Sequence, residues 1–146
     1  MQKSLFEKPK PHIVVQGIRF NRVSDSDYSI LRKIESMRQG DIPYYIFATH
    51  YIHYWNKGIY ELYINEDWES TGNFIPIAKK HKNAVSYHIP GPIVDDVDLL
   101  VRICDELEQS ASRGVFVKYV DPNSSISTND KFIYTGKEVE YIYSAK

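Results

Sequence analysis

The chain has 146 residues, 25% charged and 42% hydrophobic, with a formal net charge of -1. This is the size and balance of one soluble globular domain, large enough to fold without a disulfide or a structural metal. The near-neutral charge removes any bulk electrostatic case for nucleic acid or anionic lipid, and no apolar run approaches signal-peptide or membrane-spanning length, so a cytoplasmic protein without membrane insertion is expected.

Residues 1–12 are polar, carry Pro9 and Pro11, and read as a flexible arm before a single domain over 13–146. "HIVVQGIRFNRVS" reads as a first strand with a bulge at Gly17. "SDSDYSILRKIESMRQG" reads as a helix: Ser24 or Asp25 caps it, Ile30, Leu31, Ile34 and Met37 form its apolar stripe, and Gly40 ends it.

"DIPYYIFATHYIHYWNKG" follows. Pro43 suits a first helical turn, and Tyr44, Phe47, Ala48, Tyr51, Tyr54 and Trp55 recur at helical spacing. His50 and His53 lie three apart and so share one side of that helix, with Thr49 and Lys57. Zinc would need a further ligand, from His81, Asp67 or His88, and no second Cys/His pair supplies one by spacing. The expected reading is no metal, with the histidines on the surface or in a cleft beside packed aromatic rings.

Three strands come next. In "GIYELYINEDW", Tyr60, Leu62 and Ile64 share one face and Glu61 takes the other. "NFIPIAKKH" contains Pro76, which removes a ladder donor and predicts an edge or a bulge. "NAVSYHIPGP" places Val85, Tyr87 and Ile89 on one face, and "KKHKN" reads as the hairpin turn before it. "AKKHK" at 78–82 is the densest basic run, with a solvated turn as the expected state. Between the first two strands, Glu66, Asp67 and Glu69 flank Trp68. They are expected to be solvated carboxylates around an indole that covers a core edge.

"VDDVDLLVRICDELEQSASRG" is the clearest helix. Asp95, Asp96 and Asp98 load its N-terminal end, and Val97, Leu100, Val101, Cys104, Leu107 and Ala111 form its stripe. Cys104, the single cysteine, is expected to be a buried structural thiol rather than a nucleophile. "GVFVKYVDPN" reads as a central strand, "PNSSISTND" as a polar loop, and "KFIYTGKEVEYIYSAK" as one or two final strands around Thr135-Gly136. "FVKYVD" and "KFIYTGK" mix aromatics with lysines as single-strand nucleic-acid binders do, but with a net charge of -1 nucleic acid is not the expected partner.

This order resembles the GNAT acyltransferase fold. "YELYINEDW", "GNFIPIAKK" and the ending "VDPN…KEVEYIYSAK" resemble, more narrowly, the amino-terminal GNAT-like half of proteins related to the carboxy-terminal domain of phosphatidylglycerol lysyltransferases. The resemblance covers most of residues 13–146 and implies an α+β fold: a mixed, mostly antiparallel sheet with about three helices. It also implies a second GNAT-like half, which would begin about where this chain reaches Lys146. A homodimer would restore the two-halves arrangement. Two features depart from the family. The loop "DPNSSISTND" stands where a helix is expected. The place for a pyrophosphate-binding loop reads "IPGPIVDDVD", in which Pro90 and Pro92 lack an amide hydrogen and Asp95, Asp96 and Asp98 repel phosphate. No acyl-CoA or other cofactor is therefore expected. The resemblance implies a half-domain related to acyl and aminoacyl transferases that does not catalyse alone. A cleft lined by Tyr51, His53, Trp55, Tyr60 and Tyr87 would orient a polar substrate. The alternative is a non-enzymatic protein-interaction module acting through a Tyr-rich surface.

Overall fold

The computed structural model describes residues 11–24, 55–120, 124–137 and 140–145. The expected arm up to residue 10, the helix expected after Ser24 and all but the end of the aromatic helix lie outside the described residues, as do His50, Tyr51 and His53.

The described residues form an α+β structure built on one eight-stranded, mostly antiparallel sheet. Its strands are β1 (His12–Val15), β2 (Ile18–Arg22), β3 (Tyr60–Asn65), β4 (Pro76–Lys80), β5 (Ser86–Pro90), β6 (Val115–Lys118), β7 (Phe132–Tyr134) and β8 (Glu140–Tyr143). The spatial order is β1-β2-β3-β4-β5-β6-β8-β7. Only β5 and β6 run parallel, with Tyr87 opposite Val115 and Pro90 opposite Lys118. A parallel neighbour needs a crossover. Helix α2 (Val97–Ser110) supplies it, while α1 (Trp68–Thr71) and α3 (Ser125–Thr128) are single turns.

The first expected strand is in fact a hairpin. Gln16 and Gly17 both take positive φ, 53° and 71°, the two-residue turn whose twist matches antiparallel strands. Gly17 thus makes a reversal rather than a bulge, and β1 pairs β2 from His12–Asn21 to Val15–Ile18. Pro76 also sits differently from expectation. It is the first residue of β4, an interior strand, where its missing N–H interrupts no ladder within the strand. The expected polar loop contains α3, whose Ile126 is buried and whose Ser127 hydroxyl donates to the Ser124 carbonyl at 2.7 Å.

The sheet buries both faces. On one, α2 presses Leu100, Ile103, Cys104 and Leu107 onto Phe20, Ile77, Ile89, Val115 and Val117. Ile103, absent from the expected stripe, is fully buried, whereas Val101 is only partly covered. The Cys104 thiol is fully buried, as expected, and burial pushes its pKa up, away from nucleophilic chemistry. Asp96 caps α2 by accepting from the Asp98 amide at 2.9 Å. On the other face a smaller cluster gathers Trp55, Leu62, Ile64, Trp68, Phe74 and Ala78. Trp68 is buried in it, edge-on to Phe74, so the indole covers a core edge.

Asn65 closes the connection from β3 to β4. It is 1% exposed, donates to Asp67 Oδ1 and to the Asn73 carbonyl at 2.7 Å each, and accepts from the Ile75 amide at 2.9 Å. Three satisfied bonds offset the cost of burying the amide. Among the described residues no helix is long and apolar enough to cross a membrane.

Candidate functional site

The most chemically loaded place among the described residues is the aromatic end of the second face. Alternation along β5 sends Tyr87 and Ile89 towards α2, and Ser86 and His88 to the opposite side. The same rule brings Phe116 and Lys118 of β6, and Glu140 of β8, to the side of His88.

Asn56 fixes Trp55 over this group. Its Oδ1 accepts from Arg22 Nε at 3.1 Å and from the Leu62 amide at 3.0 Å, and its Nδ2 donates to the Val23 carbonyl at 2.8 Å. The end of β2, the start of β3 and the residue after Trp55 are thereby held together. Trp55 is 1% exposed. Its ring lies 5.0 Å from Tyr60, edge-on, and 5.6 Å from His88, tilted. His88 in turn stacks on Phe116 at 5.3 Å and 15°. Tyr119 completes the box, its ring 6.4 Å from Trp55. It takes φ 58°, an uncommon conformation for a bulky side chain, and lets the chain leave β6 with Tyr119 on this cluster and Val120 in the other core.

His88 is buried between these rings. Loss of water, then the positive charges of Lys118 and Lys80, hold its pKa down at about 4, with Glu140 acting weakly the other way. The imidazole is neutral at pH 7. Its Nε2 lies 3.2 Å from Ser86 Oγ, and its buried Nδ1 has no hydrogen-bond partner among the described residues. An orphaned buried N–H is rarer than an orphaned lone pair. The tautomer that fits is therefore Nε2–H donating to Ser86, with the Nδ1 lone pair left facing the cluster. Beside it, Lys118 Nζ meets Glu140 Oε2 at 3.1 Å and lies 5.2 Å from the centre of the Trp55 ring. Thr135 donates its hydroxyl to Glu140 Oε1 at 2.9 Å. Burial raises the Glu140 pKa, but the Lys118 and Thr135 hydrogen bonds and the Lys118 charge outweigh it, and the net shift is downward.

The expected cleft is therefore divided. Trp55 and Tyr60 meet as anticipated. Tyr87 does not join them: it faces α2, with its hydroxyl 3.1 Å from Ser110 Oγ. The half-buried Tyr60 and the buried Tyr87 stand on opposite sides of one sheet, because the even and odd positions of adjacent strands are separated by the pleat. Tyr51 and His53 lie outside the described residues. Sequence reasoning missed His88, Lys118 and Glu140 as partners. The signal was present in part: "SYHIP" and "FVKYV" each put a polar residue on the face opposite apolar ones, the second in a strand expected to be central.

A buried imidazole with a pKa of about 4 is a weak base at neutral pH. With Nε2 held by Ser86, it suits a hydrogen-bonding and positioning role better than proton transfer. Among the described residues no group of three His, Cys, Asp or Glu side chains is placed to hold a metal ion. Compared with known proteins, the chain matches no family model, no curated protein and no solved structure.

Proposed function

We propose that the chain is a GNAT-like domain related to acyl and aminoacyl transferases, that it does not catalyse alone, and that the Trp55–Tyr60–His88 cluster walls its substrate-orienting cleft. The observation that carries this reading is the topology. Three antiparallel strands, β3, β4 and β5, lead through α2 to a parallel β6, and β8 inserts between β6 and β7. This is the strand–helix–strand order on which the resemblance rests. The aromatic box would give that cleft an apolar wall, and it encloses one buried polar atom without a partner among the described residues, the Nδ1 of His88.

The loop after β5 supports a domain that does not take acyl-CoA. Besides the two prolines, its amides are engaged by the protein. Gly91 N–H donates to the Lys118 carbonyl and Ile93 N–H to the Phe74 carbonyl, each at 2.8 Å. Asp95 N–H donates to Asn73 Oδ1 at 3.1 Å. A pyrophosphate would have to displace these bonds and face three aspartates. Calorimetric titration with acetyl-CoA is expected to give no saturable heat. Stoichiometric binding would overturn this account of the loop.

A second reading, a protein-interaction module that pairs with itself or with a second GNAT-like half, draws on the sheet edges. Val14 on β1 is 57% exposed, and Ile133 and Tyr134 on β7 are 52% and 55% exposed. Exposed apolar side chains on edge strands favour strand-to-strand association.

A further inference from the structure

At the opposite end of β5 from the proline–aspartate loop, the structure forms a cavity of about 320 Å³, the lower end of the range for small-molecule sites. Three cations line it: Lys80 from the end of β4, Lys82 from the turn, and Arg113 from the connection between α2 and β6. They are brought together by tertiary structure. Lys80 stands opposite Ser86 in the β4–β5 ladder. The amides of Ser112 and Arg113 both donate to the Val85 carbonyl, at 2.9 and 3.1 Å, and the Val85 amide returns a bond to Ser112 Oγ at 2.9 Å. That clamp fixes the Arg113 backbone against the start of β5.

Among the described residues the lining contains no carboxylate. Among the described residues none of the three cations has a carboxylate within ion-pair distance. Glu61, across the ladder from Lys79, is instead engaged by Arg22 at 3.4 Å and His81 at 3.9 Å. Ser86 and Asn83 add polar groups to the cavity, and Ile59 adds an apolar wall. In the tautomer assigned above, His88 Nε2–H donates to Ser86 Oγ, which leaves the serine hydroxyl hydrogen free to donate to a ligand in the cavity.

We propose that this cavity is a binding site for a small phosphate monoester. A phosphate monoester carries close to two negative charges at neutral pH and three acceptor oxygens. It matches an Arg fork, two ammonium groups and a hydroxyl donor, whereas a lone carboxylate offers one charge and two oxygens. The volume leaves room for a sugar-sized body beside the phosphate, against Ile59. The site uses none of the loop after β5 and adjoins the Trp55–Tyr60–His88 cluster through the Ser86–His88 bond, but phosphate binding there does not require that the chain be a transferase relative.

The test is titration of the full chain with ribose 5-phosphate, inorganic phosphate and citrate, followed by calorimetry and by amide chemical shifts of Asn83, Ser86 and Arg113. Saturable binding of ribose 5-phosphate is expected, weakening as salt rises. Lys80→Gln and Arg113→Gln should each reduce affinity about tenfold, the loss of one charge-assisted bond. Ser86→Ala should reduce it less. Both cationic substitutions are at partly or fully exposed positions, and far-ultraviolet circular dichroism checks that each variant folds. Absence of saturable binding to the folded wild-type chain would overturn the proposal. So would binding that persists unchanged in the Lys80→Gln/Arg113→Gln double variant, or citrate binding as tightly as ribose 5-phosphate.

Discussion

The two faces of the sheet bury their residues by different rules. Beneath α2 the contact is continuous and mostly aliphatic, and among its polar contacts Tyr143 donates to Asp105 at 3.1 Å and Tyr87 meets Ser110. On the other face a smaller cluster holds an indole, an imidazole and an ammonium–carboxylate pair within a few ångströms of one another. The first arrangement is a core whose strength follows apolar area. The second removes polar groups from water and leaves one atom of His88 without a partner among the described residues, which costs stability. A fold can carry both because the first face anchors α2 and the sheet, leaving the second to be shaped by its side chains.

The contrast is broken most forcefully by truncating one large side chain on each face. Trp55→Ala should cost about 3–5 kcal/mol and Leu100→Ala about 2–5 kcal/mol, read by urea denaturation. A Trp55→Ala loss below about 1 kcal/mol, no more than an average point mutant, would mean that the second face is a loose surface cluster.

The second face alone should respond to mild acid. An unfolded histidine takes its proton near 6.5, whereas folded His88 stays neutral down to about 4. Between those values the unfolded chain holds more protons, so stability falls as pH drops through that window, by roughly 3 kcal/mol in total. Denaturation of wild type and His88→Gln at pH 7 and pH 4.5 isolates this part. The variant should lose less stability over that interval, and equal losses would show that His88 takes up a proton in the folded chain as readily as in the unfolded one.

The smallest effect is expected at the rim. Ile133→Lys on β7 should change folding stability by no more than about 0.5 kcal/mol, because the side chain is already exposed. Light scattering of the same variant sharpens the edge-association reading, which expects the wild type to show a larger mass than Ile133→Lys at high concentration. A wild-type chain that is monomeric there removes it.

Much of the molecule was legible in the sequence. The Asp-loaded, striped segment 97–110 is α2 because its apolar spacing and N-terminal aspartates agree. The alternation of Tyr60, Leu62 and Ile64 does place them on one face. The site was legible only in halves. Trp55 and Tyr60 are close in sequence, and their proximity follows from one short connection. His88, Phe116, Lys118 and Glu140 come from three strands, and nothing local says that β8 will lie against β6 rather than at an edge. That Tyr87 lies on the opposite face from Trp55 and Tyr60 was not legible for a related reason: periodicity gives the face a residue shares with its own strand neighbours, not which face of the sheet that is.

By itself, then, the sequence determined the elements that rest on local rules. These include the alternating strands, the capped amphipathic helix, the burial of Cys104 and the turn between Lys80 and Ser86. Tertiary structure decided the rest. It turned the Gln16–Gly17 segment into a hairpin, made β4 an interior strand, and joined His88 to Trp55, Lys80 to Arg113 and Lys118 to Glu140. The physical reason is that local pattern fixes backbone state and side-chain alternation, while the chemistry of a site depends on non-local register. A shift of one residue between β5 and β6 would have sent Phe116 and Lys118 to the aliphatic core instead.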